Sequence, residues 1–221
     1  VEAAAGMLEG LGHHVEWADP PVDGERLANS YLTLYLGHLS ADLAWIARET
    51  GVPVTRLEIE PSTRAIARLG RHLPVRDYEL AKRDWNAAAR AMGAFHRRYD
   101  VLLMPVTAAP APRLGELYPP PSHERLMGLL AIPGLAALAL KAGMLKHLAR
   151  DALSRTPYTQ LANLTGQPAM SLPLHVTTQG LPVGVQVVGA MGDEHRLLAL
   201  AAQVEAESGW GRHLPRPWQD R

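Results

Sequence analysis

Asn163, Thr165 and Gln167 crowd into one stretch, LANLTGQPAMSLPL (residues 161–174), where polar side chains and a glycine precede alternating apolar residues. Asn and Thr bond nearby backbone groups and so close turns, or they present donors and acceptors to a ligand. In the first use Asn163 and Thr165 close a helix-to-strand turn, Gly166 takes a torsion other residues avoid, and Pro168 starts the strand. Other chemistry is sparsely represented. With no cysteine there is no thiolate nucleophile, no disulfide and no Cys-type zinc site. His13 and His14 are adjacent, so on a strand they point to opposite faces, and the other histidines lack ligand spacing; no metal site is expected. None of the serines lies in a glycine-rich turn that would bring backbone N–H groups to an oxyanion, and Ser171 reads as a structural strand residue. There is no Walker or dinucleotide glycine loop, no His-Glu-x-x-His and no Gly-x-Ser-x-Gly elbow. No metal or organic cofactor is implied. Asn163-Leu164-Thr165 satisfies a glycosylation sequon, which in the absence of a secretory signal reads as coincidence.

The elements that position these residues follow from periodicity. Met7, Leu8, Leu11 and Val15 recur at helical spacing with Gly12 as a stop, and HVEWADPP then alternates as a strand until Pro20-Pro21. This is an α-then-β unit whose preceding strand is missing. Residues 23–50, with Leu27, Tyr31, Leu34, Leu39, Leu43 and Ile46, predict one or two packing helices before Gly51. Residues 75–99 form the clearest helix, with Val75, Tyr78, Ala81, Trp85, Ala88, Met92, Phe95 and Tyr99 at steps of three and four. DVLLMP (100–105) suits a strand covered on both faces, and the Pro-rich segment after it suits an extended loop bordering a cleft.

Residues 126–140 carry no charge, but Pro133-Gly134 interrupts them and the run is shorter than the roughly 20 residues a spanning helix needs. A buried or lid-like helix pair is expected instead, with Lys141, Lys146, His147 and Arg150 as its solvated end. QPAMSLPL and GLPVGVQVVG predict two strands joined by HVTTQG. In the second, Val183, Val185 and Val187 share one face and Gly184, Gln186 and Val188 the other. A helix follows with Asp193 as N-cap, Glu194 in its first turn, a stripe of Leu197, Ala201 and Val204, and Gly209 as stop.

A length of 221 residues allows one unit with a sizeable core, and 47% hydrophobic with 20% charged residues describes a soluble globular chain. Twenty-two basic residues balance 22 acidic ones, and no basic run is interleaved with aromatics, so nucleic acid is not an expected partner. The cytoplasm is the default location. The chain opens on Val1 without a signal segment, as a processed or excised piece would.

YTQLANLTGQPAMSLPL, followed by GLPVGVQVVG and DEHRLLALAAQVE, resembles the C-terminal half of amidase signature hydrolases. The similarity continues more weakly at YDVLLMPVTAAPAP (99–112) and at Leu8–Trp17, in the family's order along nearly the whole chain. It implies an α/β fold, the C-terminal portion of a mixed β-sheet flanked by helices, with residues 1–221 a single partial domain. It also implies hydrolysis of a carboxylic amide by a Ser, cis-Ser, Lys triad. In that mechanism one serine attacks the amide carbonyl, the second relays the proton to lysine, and water releases the acyl group. The triad has no counterpart here: Lys82, Lys141 and Lys146 lie in helical patterns, and neither GSS nor SGG occurs. The resemblance thus implies an amidase whose catalytic residues lie in an absent N-terminal half, this chain contributing sheet and pocket wall and being inactive alone.

By the same resemblance, the turn after Tyr158 lies beside the substrate cleft, and Tyr158, Thr159 and Asn163 are candidates to touch a small-molecule amide. The closing of the turn and contact with substrate remain two open uses of the same residues. Amidotransferase A subunits resemble the chain too, but the Asp they place before the aromatic-Thr pair is replaced by Thr156-Pro157. Residues 27–50 look more like amidases of apolar or linear amides, including the 6-aminohexanoate cyclic dimer hydrolases. The alternatives are a binding or scaffolding subunit built on the amidase fold, and an unrelated α/β binding module. A truncated sheet edge predicts self-association.

Overall fold

The computed structural model describes residues 1–117, 127–130, 132, 134–143 and 153–210. The chain divides into two compact units. The first comprises Val1–Val22, Ala89–Ala111 and Arg155–Arg221, and the second Asp23–Ala88 and Pro112–Ser154.

The first unit is built on β1 (Val101–Pro105), β2 (Ala169–Val176) and β3 (Pro182–Gly189), in the order β1-β3-β2 with both pairings antiparallel. Valine-rich β3 takes the central position, where its five residues from Val185 to Gly189 are all buried. Register puts Leu103 and Met170 opposite Val187, and Leu172 opposite Val185, so these side chains share one face. That face packs with α1 (Glu2–Gly10) and α7 (Glu194–Ser208) around a core of Leu8, Leu172, Val187, Leu197, Leu200 and Val204. Leu102, Gln186 and Val188 are buried on the opposite face.

Helix ends follow the sequence closely. Gly209 caps α7 in the left-handed region, and Asp193 occupies its N-cap position. The Asp193 carboxylate bonds Arg196 rather than a backbone N–H, so it acts through the ion pair and the helix dipole. Arg196 also reaches Asp100 at 2.6 Å, and these partners, the Asp193 bond foremost, raise its pKa.

Two expectations need correction. Residues 13–20 form no strand. A strand needs a ladder, and here the polar groups go elsewhere: His13 N–H donates to Leu8 O, while Glu16 accepts from the Tyr99 hydroxyl at 2.6 Å and from Arg98 at 2.9 Å. Trp17, read as a strand residue, is 86% exposed. In β1, read as covered on both faces, only Leu102 is fully buried and its neighbours are half-buried; among the described strands β1 lies at an edge.

The second unit is helical. Residues 23–50 form one helix, α2 (Gly24–Thr50), which Asp23 caps by accepting from Arg26 N–H and Gly51 ends in the left-handed region. It packs on α3 (Pro61–Gly70) and α5 (Leu135–Lys141) around Leu36, Ala65, Leu69, Met127, Leu130 and Ala136. Close approach needs Gly70: a Cβ there would meet Leu36 O at 2.0 Å. The run at 126–140 is thus partly a core element, with Met127, Leu130 and Ala136 buried and Leu129, Ile132 and Leu138 exposed. Pro133, Lys146, His147, Arg150 and the end of the Pro-rich segment lie outside the described residues.

The long helix α4 (Val75–Phe95) gives its first part, to Ala88, to this unit. Ala81, Ala88, Met92 and Phe95 are buried as the periodicity predicts, but Val75 at the helix start is exposed.

Candidate functional site

The turn at 158–168 is assembled by a short helix, α6 (Thr159–Thr165), which Gly166 ends at φ 75°. Leu161, Ala162, Leu164 and Thr165 are buried, so only part of its surface is open. Thr165 Oγ1 lies 2.7 Å from Leu161 O and 2.9 Å from Gln167 Oε1, its one proton serving one acceptor at a time. Gln167 Nε2 donates to Gly189 O at 3.0 Å, and Gly189 N–H donates to Pro168 O at 2.9 Å. The polar stretch therefore ties the end of α6 to the end of β3. Thr165 and Gly166 close the turn as the sequence predicts, whereas the strand begins at Ala169. Asn163 is exposed, and among the described residues it has no part in that network. Gln167 stood out in the sequence as one of the polar residues of the stretch but was given no role there, and it is the member that carries the link to β3.

Tyr158 stands at the N-cap of α6 and Thr159 at its first position, both half-buried. Thr159 and Asn163 are four residues apart and share a helix face, with Tyr158 beside them. The segment just before them is tied to the loop after β1 by Ala108 N–H donating to Arg155 O at 2.9 Å. Within the sheet, Gly184 allows Ser171 and Val106 to close over β3, since a Cβ there would lie 2.5 Å from Ser171 Oγ and 3.0 Å from Val106 Cγ2.

A cleft of about 420 Å³ lies in the second unit, and Tyr158, Thr159 and Asn163 are not among its lining residues. Its walls are the first turns of α2 and the first half of α4. Arg26 contacts Asp84, Tyr78 contacts His38, and the Tyr78 ring fills the space a Cβ on Gly37 would take, so the two helices run antiparallel. Arg26, Asn29, Ser30 and Thr33 recur along α2 at steps of three, one and three, and Asp77, Ala81 and Asp84 line α4. Arg26 donates to Asp84 at 2.5 Å, a hydrogen bond reinforced by the charge of Asp84, and its pKa is raised accordingly. Sequence reasoning saw only the apolar stripe of α2 and assigned the helix to packing; its polar stripe was the signal for this cleft. Among the described residues no cluster of His, Asp or Glu could hold a metal ion.

The fold is similar to that of solved amidase signature enzymes. A 6-aminohexanoate cyclic dimer hydrolase complexed with substrate has this fold, with a TM-score of 0.73 at 23% identity over 95% of this chain and 40% of that one. A bacterial aryl acylamidase of the amidase signature family matches with a TM-score of 0.67 at 19% identity, over 96% of this chain and 40% of that one. Residues 123–198 match the family model described as Amidase. In sequence the chain is 33% identical to a lipoamidase of Enterococcus faecalis over 100% of its own length and 30% of the relative. It is 28% identical to the 6-aminohexanoate-cyclic-dimer hydrolase of Pseudomonas sp. (strain NK87), over 96% of its own length and 40% of the relative. The chain is therefore amidase-like in sequence and fold, and it spans about a third of the length of the curated relatives it matches.

Proposed function

We propose that this chain is the C-terminal part of an amidase that hydrolyses a carboxylic amide, the nucleophilic serine, relay serine and lysine being supplied by the part of the protein that precedes it. The observation that carries the reading is the similarity to named amidases along the whole chain at only 30–40% of their length. Here the chain supplies the β1-β3-β2 sheet and part of a pocket wall. Tyr158, Thr159 and Asn163 face a small-molecule amide substrate from the N-terminal end of α6. The exposure of Asn163 and the half-burial of the other two leave them free for that contact.

The protein works in the cytoplasm, a reading that the cysteine-free sequence suits. Among the described residues no helix is long and apolar enough to cross a membrane. Among the described residues β1 and β2 are the edge strands of the sheet, which leads the isolated chain to self-associate, so light scattering should find a dimer or larger; a strict monomer would remove that part of the reading.

The main test is to read the frame upstream of Val1, co-express the encoded segment with this chain, and assay aliphatic amides. Turnover should need both parts. Robust hydrolysis by the 221-residue chain alone would place the nucleophile here and overturn the reading.

A further inference from the structure

The tie between α6 and β3 rests on a donor that the backbone does not supply. Ala169 faces Val188 in the β2–β3 register, so Pro168 faces Gly189 at the next position. Gly189 N–H donates to Pro168 O at 2.9 Å, which is half of the two-bond exchange that such an antiparallel pair makes. The other half is impossible, since proline has no N–H. Gln167 Nε2 fills that place, donating to Gly189 O at 3.0 Å. Because a carbonyl can only accept, this bond fixes which end of the Gln167 amide is nitrogen and leaves Oε1 beside Thr165 Oγ1, 2.9 Å away. One side chain thus completes the ladder and holds the last residue of α6.

The anchor is firm, and the anchored helix is not. A Cβ on Gly189 would meet Leu197 at 3.3 Å, so the end of β3 is pressed against α7. Helix α6 has seven residues, too few to persist on its own hydrogen bonds, and its orientation depends on what ties its ends. We propose that Gln167 is a positioning residue of the amidase, orienting α6 so that Tyr158, Thr159 and Asn163 meet the substrate. This role rests on the reading of those three side chains as substrate contacts, and Gln167 itself acts only through the helix. The Thr-Gly-Gln-Pro order then has a physical reason: Pro168 removes a backbone donor, and Gln167 returns it through a side chain that also grips the helix end.

The test uses Gln167→Met, which keeps the length and removes donor and acceptor, in the co-expressed two-part enzyme with hexanamide as substrate. KM should rise about tenfold with kcat changed less than about twofold, since the triad lies outside this chain and only binding contacts are displaced. Adding Pro168→Ala separates positioning from stability. It gives Gly189 O a backbone donor, so the urea midpoint lost in Gln167→Met should recover while KM stays raised. A KM unmoved by Gln167→Met, or one that recovers together with the midpoint, would overturn the proposal. The 221-residue chain gives a readout without turnover. Amide hydrogen exchange from Ala162 to Gly166 should quicken about tenfold in both variants, and unchanged protection would equally sink the assignment. Should Gln167→Met not fold alone, the double variant, with its ladder bond restored, carries both measurements. Absence of amide turnover in the unaltered enzyme counts against the amidase reading alone, and exchange then decides whether Gln167 orients α6.

Discussion

The surroundings of β3 and the α2–α4 cleft treat polar side chains in opposite ways. At β3 they are consumed by the fold: Thr165 and Gln167 link α6 to Gly189, and Gln186, 6% exposed, directs its amide at Met104 Sδ. In the cleft they stay at the surface: Asp84 takes Arg26 and Asp77 takes Arg76 in exposed ion pairs, and Asp23 and Glu25 are exposed. The lesson is that a buried polar group belongs to the fold when the protein itself supplies its partner, whereas an exposed one is left to water. The best-defined sequence motif accordingly lies where the chain holds itself together, and the exposed charges lie on a helix that reads as packing.

The same substitution in the two units separates backbone from side-chain crowding. Gly70→Ala has the largest expected effect, roughly 3 kcal/mol or more, because the added Cβ meets the carbonyl of Leu36 and only a shift of α3 against α2 relieves it. A urea midpoint near the parent value would show that this helix contact is loose. Gly184→Ala should cost less, about 1–3 kcal/mol, since Ser171 Oγ and Val106 Cγ2 sit on side chains that can give way. Adding Ser171→Ala should restore part of that loss; no recovery would mean that Ser171 is not the obstacle.

Thr165→Val sharpens the account of the turn. It keeps the shape but removes the donor shared by Leu161 O and Gln167 Oε1, and about 1–2 kcal/mol should be lost in denaturant unfolding. Asn163→Ala, on the same helix but outside the network, should leave the midpoint unchanged within error while lowering turnover in the reconstituted enzyme.

The smallest expected effect is electrostatic. The hydrogen bond from Tyr99, with help from Arg98 and His14, holds the Glu16 carboxyl below the ordinary glutamate range despite some desolvation. A lowered folded pKa stabilises above the unfolded value, and that contribution is lost as pH falls through the folded one. Tyr99→Phe should therefore narrow the stability difference between neutral and acidic pH. Parallel acid profiles for parent and variant would show that this exposed network is inert.

Much of this was legible in the sequence because it is local. The periodicities of α4 and α7, the alternation of β2 and β3, and the glycines that end α2, α6 and α7 each depend on residues a few positions apart. The amidase motifs were readable for the same reason. The stretch at 13–20 failed as a strand because alternation says nothing about whether a neighbouring ladder exists, and Glu16 instead pairs with residues 82 and 83 positions away. Tyr158, Thr159 and Asn163 could be nominated from their motif, but only the helical turn of α6 decided which of them share a face. The cleft was beyond reach because it joins Asp23–Thr33 to Asp77–Asp84, and its character rests on Arg26 finding Asp84, 58 positions away. Sequence by itself determined the elements and the family resemblance, since both reside in short-range pattern. The tertiary structure alone decided which polar groups are spent and which remain available, because hydrogen bonds and charge pairs are settled by spatial neighbours far apart along the chain.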